Sequence, residues 1–146
     1  MCMCVCVCVL YYNRIKWKPL NENSIDFKVK LMFPGSSIPG VPDLTAKPRV
    51  HLLVWQGDDR YEYFNELGIT EMEWKQTFGN NPRSMDGRII ECNYDLELQK
   101  KLDLPSPWRF MRYRDDKPDG NHKSTVTKVL ESIRDAVSQE EVNTTN

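Results

Sequence analysis

The 146-residue sequence lacks an apolar run long enough to cross a membrane, and it lacks the C-x2-C cysteine pairs of a zinc site. A membrane-spanning helix needs about 18 or more consecutive apolar residues, so no membrane partner is expected. The formal net charge is only −1, which excludes the whole-chain basic field of many nucleic-acid-binding proteins. Any phosphate chemistry must therefore come from local clusters of charge.

Cysteine and histidine are too sparse to form a catalytic or metal-binding set. Four of the five cysteines fall within residues 1–8, and Cys92 stands alone in an apolar segment, which predicts a buried thiol. The two histidines, His51 and His122, are expected to have structural roles. This pattern favours a reducing compartment, and no metal-binding residues are predicted.

The first residues, MCMCVCVCVL, form a pattern that an uninterrupted TG dinucleotide repeat encodes. Residues 1–12 are therefore expected to be an artefactual or low-complexity lead-in. The alternative is a genuine β-strand, because valine recurs at alternate positions.

Apolar periodicity predicts a succession of strands. In residues 24–33 (SIDFKVKLMF), Ile25 and every second residue to Phe33 are apolar, whereas Asp26, Lys28 and Lys30 face the other way. A turn at residues 57–59 predicts a hairpin. Further strands are expected at residues 49–56, 60–64, 87–94 and 108–114, and residues 67–78 fit either a short helix or a strand.

The last element has a helical period. Apolar residues from Val126 to Val137 predict a helix of about 15 residues that begins near Lys123 and is capped by Asn121 or Ser124. The predicted fold is mainly β with a C-terminal helix, arranged as a small antiparallel β-barrel.

Two local clusters of charge could bind phosphate. The first holds Lys16 and Lys18, whose alternate positions on a strand would place two ammonium groups on one face. The second holds Arg112, Arg114 and Lys117, with Asp116 able to orient a guanidinium. Each cluster alone is equally compatible with a solvated, ion-paired surface.

The two clusters together resemble motifs of mRNA capping guanylyltransferases. KWKP at residues 16–19, followed by NSIDF at residues 23–27, is similar to the fifth motif of that family, and R-x-R-x-D-K at residues 112–117 is similar to the sixth. The segments GRIIEC and LESIRD also look like the family. The resemblance covers residues 14–137 and points most closely to the fungal-type enzymes.

The resemblance implies a fold, a reaction and site residues. Residues 13–23 would end a nucleotidyltransferase domain with a remnant strand, residues 24–138 would form an OB-fold domain, and residues 139–146 a disordered tail. Family members transfer GMP from GTP, through a lysyl-GMP intermediate, to the 5′-diphosphate end of pre-mRNA. The residues implied to contact GTP phosphates are Lys16, Lys18, Asp26, Arg112, Arg114, Asp116 and Lys117.

The resemblance also implies partners and a location. GTP is the expected substrate, with Mg²⁺ or Mn²⁺ in the intact enzyme. The expected partners are 5′-diphosphate RNA, an RNA triphosphatase subunit and the phosphorylated tail of RNA polymerase II, and the expected location is the nucleus.

The chain departs from the family in two respects. It lacks the upstream K-x-D-G motif that carries the nucleophilic lysine, so no catalytic residue is predicted and the chain alone is expected to be inactive. Residues 117–120 spell K-x-D-G, but Lys117 already belongs to the sixth motif, which indicates a coincidence. Gly120 stands where relatives often have proline, and it is expected to loosen the turn.

Three other interpretations remain open. A stand-alone OB-fold could bind single-stranded RNA, with stacking on Trp55, Tyr61, Tyr63 and Phe64. A mis-joined gene model would give a product without function. ATP-dependent DNA ligases share the architecture, but the sequence around KWKP and the tryptophan before the sixth motif favour capping.

Overall fold

The computed structural model describes residues 23–144, with side chains for residues 23–138. Lys16, Lys18, the predicted remnant strand and the cysteine-rich lead-in lie outside the described residues. The elements are β1 (Ser24–Met32), β2 (Arg49–Gly57), β3 (Arg60–Glu66), α1 (Glu71–Phe78), β4 (Ile89–Tyr94), α2 (Leu96–Leu102), β5 (Trp108–Tyr113) and α3 (Lys123–Thr144).

The five described strands form one antiparallel sheet in the order β3-β2-β1-β4-β5. Beyond the end of β3, the backbone N–H of Gly68 donates to the carbonyl of Trp108 over 2.7 Å, and Ser106 Oγ donates to the carbonyl of Glu66. These bonds bring the two outer strands together at one end. The arrangement is consistent with an OB-fold-like domain and confirms the prediction of a mainly β fold with a C-terminal helix.

The core lies against the inner face of β1. Ile25, Phe27, Val29 and Leu31 are all buried, as the alternation of the sequence predicted. The Phe27 ring stacks on Phe64 at 5.3 Å between centroids, in contrast to the prediction that Phe64 offers an exposed stacking surface. Each such buried side chain contributes about 1.5–3 kcal/mol, so the inner face of β1 anchors the fold.

Helix α1 resolves the ambiguous segment of residues 67–78. The Thr70 hydroxyl accepts a hydrogen bond from the Glu73 N–H, and the Glu73 carboxylate accepts one from the Thr70 N–H. This capping box satisfies two backbone N–H groups at the start of the helix, and so favours a helix over a strand for this segment. Trp74 and Phe78, one turn apart, are then buried in the core.

Two helical features differ from the sequence predictions. Helix α2 was not predicted, because its residues are mostly polar and its side chains are not buried. Helix α3 begins at Lys123 as predicted, but it continues to Thr144, and its first turn is capped by His122 Nδ1, which accepts from the Ser124 N–H over 3.2 Å. Asn121 is not the cap because its side chain bonds to β1.

Cys92 is completely buried, as predicted, and burial raises the pKa of its thiol well above the ordinary value. A thiol in this position packs like a small apolar side chain. Within the described part of the chain, no helix is both long and apolar enough to traverse a bilayer.

Candidate phosphate-binding site

A row of charged residues crosses the outer face of the sheet. The strand register pairs Asp26 of β1 with Glu91 of β4, and Glu91 with Arg112 of β5. Paired residues share a face, and the alternate residues Ile25, Phe27 and Cys92 point into the core. Three further charged residues follow β5. The charged cluster, as the term is used below, consists of Asp26, Glu91, Arg112, Arg114, Asp116 and Lys117.

Asp26 is the centre of the charged cluster. Its side chain is only 8% exposed, and its carboxylate lies 2.7 Å from Lys117 Nζ and 3.4 Å from Arg114 Nη1. A buried carboxylate is costly unless it is paired, so these two cations are held at a fixed place on the sheet. The alternation of β1 predicts that Asp26 lies opposite the core residues, and in the structure the segment after β5 covers it.

The backbone fastens that covering segment to β1. Asn121 Oδ1 accepts from the Asp26 N–H over 2.7 Å, and the Asn121 N–H donates to the Asp26 carbonyl over 2.8 Å. At Gly120 the two segments pass so closely that an added Cβ would lie 2.6 Å from the Asp26 carbonyl oxygen. Gly120 therefore permits tight packing, and the expectation that it merely loosens the turn misses this role.

Arg114 lies among three carboxylates: Asp26, Asp116 and, with Oε1 at 3.9 Å from Nη1, Glu91. Besides its contact with Asp26, it donates through Nε and Nη2 to the two oxygens of Asp116, each over 3.2 Å. The hydrogen bond from Arg114 is the main reason why the pKa of Asp116 is lowered. Asp116 is 67% exposed, whereas Asp26 and Glu91 are 8% and 13% exposed, so Asp116 is the solvated partner of the guanidinium.

Arg112 does not contact Asp26 and pairs instead with Glu91, Nε to Oε1 over 2.7 Å. Ser24 Oγ donates to the other Glu91 oxygen over 2.7 Å. The Ser24 bond, followed by the Arg112 bond, lowers the pKa of Glu91. Glu91 was not predicted as a member of the site, although the alternation of GRIIEC places it opposite the buried Ile90 and Cys92.

Two contacts brace the loop after β5 and were also missed. Arg88 pairs with Asp115 through Nη2–Oδ2 at 2.5 Å and Nε–Oδ1 at 3.1 Å. Tyr61 donates its hydroxyl to Asp119 over 2.7 Å, and burial together with this bond raises the pKa of Tyr61 to about 12. No local sequence signal predicts either pair, because the partners are distant in the chain.

The charges of the cluster balance each other. Three cations, Arg112, Arg114 and Lys117, contact three carboxylates, Asp26, Glu91 and Asp116. Arg112 is the most exposed of the cations, and 30% of the Lys117 side chain remains exposed. The cluster can therefore present positioned cations to an anion that displaces a solvated carboxylate.

The described residues contain no group of three or more His, Cys, Asp or Glu side chains arranged to hold a metal ion. Two surface cavities, of about 180 and 380 Å³, lie elsewhere, one beside Arg109 and Glu73 and the other beside Lys47 and Leu104. Neither is lined by the charged cluster.

One family model matches nearly all of the described residues. Residues 22–143 match the model of the family described as mRNA capping enzyme, C-terminal domain. That range contains all of the charged cluster and every described strand.

Curated relatives agree with the family match. The chain is 41% identical over 128 residues to the mRNA-capping enzyme subunit alpha of Schizosaccharomyces pombe, covering 88% of this chain and 29% of the relative. It is 36% identical over 160 residues to the alpha subunit of Saccharomyces cerevisiae, covering 88% and 33%. A mouse mRNA-capping enzyme is 31% identical over 126 residues, covering 86% and 17%. The chain thus spans a third or less of the length of these relatives.

Proposed function

Because this chain belongs to the family of mRNA capping enzyme C-terminal domains, we propose that it forms the phosphate-contacting lid of an mRNA guanylyltransferase. The substrate of the intact enzyme is GTP, and its acceptor is the 5′-diphosphate end of RNA. The observation that carries the proposal is the placement of Arg114 and Lys117 on the buried carboxylate of Asp26. Residues 24–138 form the lid, and residues 13–23 belong to the preceding domain.

The exposures within the cluster suggest how GTP is engaged. The pair between Arg114 and the solvated Asp116 contributes little stability, so a triphosphate oxygen can take the place of Asp116 on the guanidinium. Asp26 is buried and keeps its hold on Arg114 and Lys117 during this exchange. The β- and γ-phosphates would then meet cations that are already oriented.

Such positioning favours release of pyrophosphate. Negative charge grows on the leaving group when the bond to the α-phosphate breaks, and preplaced cations stabilise that charge without reorganising. Arg112, the most exposed cation, supplements Arg114 and Lys117. Lys16 and Lys18 complete the proposal as contacts of the α-phosphate; Lys18 precedes Asp26 by eight residues in the sequence.

The nucleophilic lysine is proposed to lie outside this chain. Residues 117–120 spell K-x-D-G, but Lys117 is paired with Asp26, and Asp119 accepts from Tyr61. Lys117 would have to abandon the buried carboxylate to attack a phosphorus atom. The segment thus serves to hold the lid cations.

The remaining components belong to the intact enzyme. Mg²⁺ or Mn²⁺ would accompany GTP in the intact enzyme, and the described residues contain no group of three or more ligating side chains to hold it. An RNA triphosphatase subunit and the phosphorylated tail of RNA polymerase II are the proposed protein partners, and the nucleus is the proposed location.

The proposal is tested in a hybrid enzyme. Residues 24–146 would replace the matching C-terminal part of the Schizosaccharomyces pombe alpha subunit, and formation of the covalent GMP adduct would be followed with α-labelled GTP. Arg114→Ala should slow labelling by about 10²–10³-fold, the usual effect of removing one group that stabilises transition-state charge. Arg134→Ala, on the exposed side of α3, is the matched control and should label normally. Full-rate labelling of the Arg114→Ala hybrid would refute the proposal.

A further inference from the structure

A second surface lies beside the charged cluster on the same outer face of the sheet. The register places Lys28, Leu53 and Tyr63 in a row across β1, β2 and β3, and it places His51 beside Lys30. This surface, made of Lys28, Lys30, His51, Tyr61 and Tyr63, is called the aromatic–basic face below.

Tyr63 is the exposed aromatic side chain of this face, and Tyr61 and His51 beside it are half-buried. Tyr63 is 56% exposed, and the His51 ring meets it edge-on with 4.8 Å between centroids. Tyr61 lies beneath Lys28, whose Nζ is 4.9 Å from the ring centroid. Trp55, next to Tyr61 in the register, packs edge-on against His122 at 5.4 Å. The rings therefore contact neighbouring side chains, while Tyr63 stays largely exposed.

The cations of this face differ from those of the charged cluster. Among the described residues, Lys28 and Lys30 contact no carboxylate closely enough to form an ion pair, whereas every cation of the charged cluster has such a partner. The Glu66 carboxylate pairs with Arg49 instead, with Oε2 3.8 Å from Nε. Local positive charge is thus available here despite the near-neutral chain.

The two surfaces are continuous through β1. Asp26 and Lys28 are two residues apart on one strand and point to the same side, a separation of about 7 Å. From Asp26 the row of charged residues extends over β4 and β5; from Lys28 the aromatic–basic face extends over β2 and β3. A strand of linked phosphates could therefore pass from one to the other.

We propose that the aromatic–basic face binds single-stranded RNA, with a base stacked on Tyr63 and phosphates near Lys28 and Lys30. Exposed aromatics beside unpaired cations are the combination that holds single strands, because every base has a ring face and every nucleotide a charge. The inference rests on the proposed function, since it assigns a path to the acceptor RNA. The 5′ end lies at the charged cluster, and the nucleotides that follow cross β1 towards β3.

The test measures binding of a fluorescently labelled single-stranded 12-nucleotide RNA to the full 146-residue chain by anisotropy, beginning at about 50 mM salt because the phosphate contacts are salt-sensitive. Tyr63→Ala should weaken binding by about tenfold or more, as expected for one lost stacking contact, and Tyr63→Phe should retain it. Lys30→Gln should reduce the slope of log affinity against log salt by about 0.7.

Controls for these variants lie on α1, away from the face. Met72→Ala removes an exposed apolar side chain and Lys75→Gln an exposed cation, and neither should change RNA affinity. Thermal unfolding confirms that each variant folds. Absence of RNA binding at low salt would overturn the inference and leave the face to a protein partner. Equal affinity of Tyr63→Ala, or equal binding of a double-stranded RNA, would also overturn it.

The inference and the proposed function can fail separately. In the hybrid enzyme, Tyr63→Ala should leave GMP labelling intact and reduce transfer of GMP to RNA by about tenfold, the same loss as in binding. If Arg114→Ala blocks labelling but Tyr63→Ala leaves transfer unchanged, the lid function stands and the RNA path is wrong. If RNA binds as expected while Arg114→Ala labels normally, the RNA-binding face stands and the lid function is wrong.

Discussion

Asp26 shows how one residue can set the place of several others. Its carboxylate is buried and pairs with Lys117 and Arg114. Its backbone N–H and carbonyl both form hydrogen bonds with Asn121. The side chain thus acts as a buried counter-ion to both cations. A residue of this kind affects both the stability of the domain and the position of the cations.

Asp26→Asn should therefore destabilise the domain. Removing one member of a buried ion pair costs about 3–5 kcal/mol, but Arg114 and Lys117 keep some access to water, so we expect a loss of about 1–3 kcal/mol. Urea denaturation at neutral pH measures it. Asp115→Asn, which breaks the surface pair with Arg88, should leave the midpoint unchanged. An unchanged midpoint for Asp26→Asn would show that the buried pair contributes nothing.

At the scale of elements, α1 is fastened to β5 by one carboxylate. Glu73 caps its own helix and also accepts two hydrogen bonds from Arg109, Nη1 to Oε1 at 3.0 Å and Nη2 to Oε2 at 2.7 Å. The bond from Arg109 is the main cause that lowers the pKa of Glu73 from an ordinary value of 4.5 to about 2. The charged form is therefore favoured in the folded state.

This contact should make stability depend on pH. A carboxyl whose pKa is lowered by folding contributes stability above its unfolded pKa, so the contribution is complete above about pH 4.5 and fades as the pH falls towards 2. Glu73→Gln should show a shallower loss of unfolding free energy between about pH 5 and pH 3 than the parent. Glu71→Gln, exposed in the same helical turn, should follow the parent. Parallel curves for Glu73→Gln and the parent would contradict this assignment.

Elements with a strong period could be predicted, and those fixed by distant contacts could not. The alternation of β1 placed its core residues correctly, and the helical spacing after Lys123 located the start of α3. Helix α2 has no buried residues, so its sequence shows no helical period of apolar residues. The cap of α3 was predicted wrongly because Asn121, a good cap by type, is used by β1 instead.

At the scale of the whole molecule, the sequence supplied the family and most members of the charged cluster, but not their pairing. Nothing local predicts that Asp26 meets Lys117, or that Glu91 meets Arg112. Strand register creates the second contact, and the segment after β5, fastened to β1 through Asn121, creates the first. The roles of Lys16 and Lys18 stay predictions. The aromatic–basic face likewise required the register, which separates the exposed Tyr63 from the core residue Phe64.

The 146-residue chain should not accept GMP by itself. Incubation with α-labelled GTP and Mg²⁺ or Mn²⁺, followed by a denaturing gel, should give no labelled band, because Lys117 is held by Asp26. The Schizosaccharomyces pombe enzyme, treated in parallel, serves as the positive control. A labelled chain that loses its label in Lys117→Ala would make Lys117 the nucleophile and overturn the lid assignment.

The bond between Asp26 and Asn121 joins residues 95 positions apart. Closing so long a loop is entropically costly, and contacts of high sequence separation slow folding and tend to form late. The hairpin of β2 and β3 closes locally and can form early. We therefore expect the cations that follow β5 to reach Asp26 late in folding, after the local hairpin has closed.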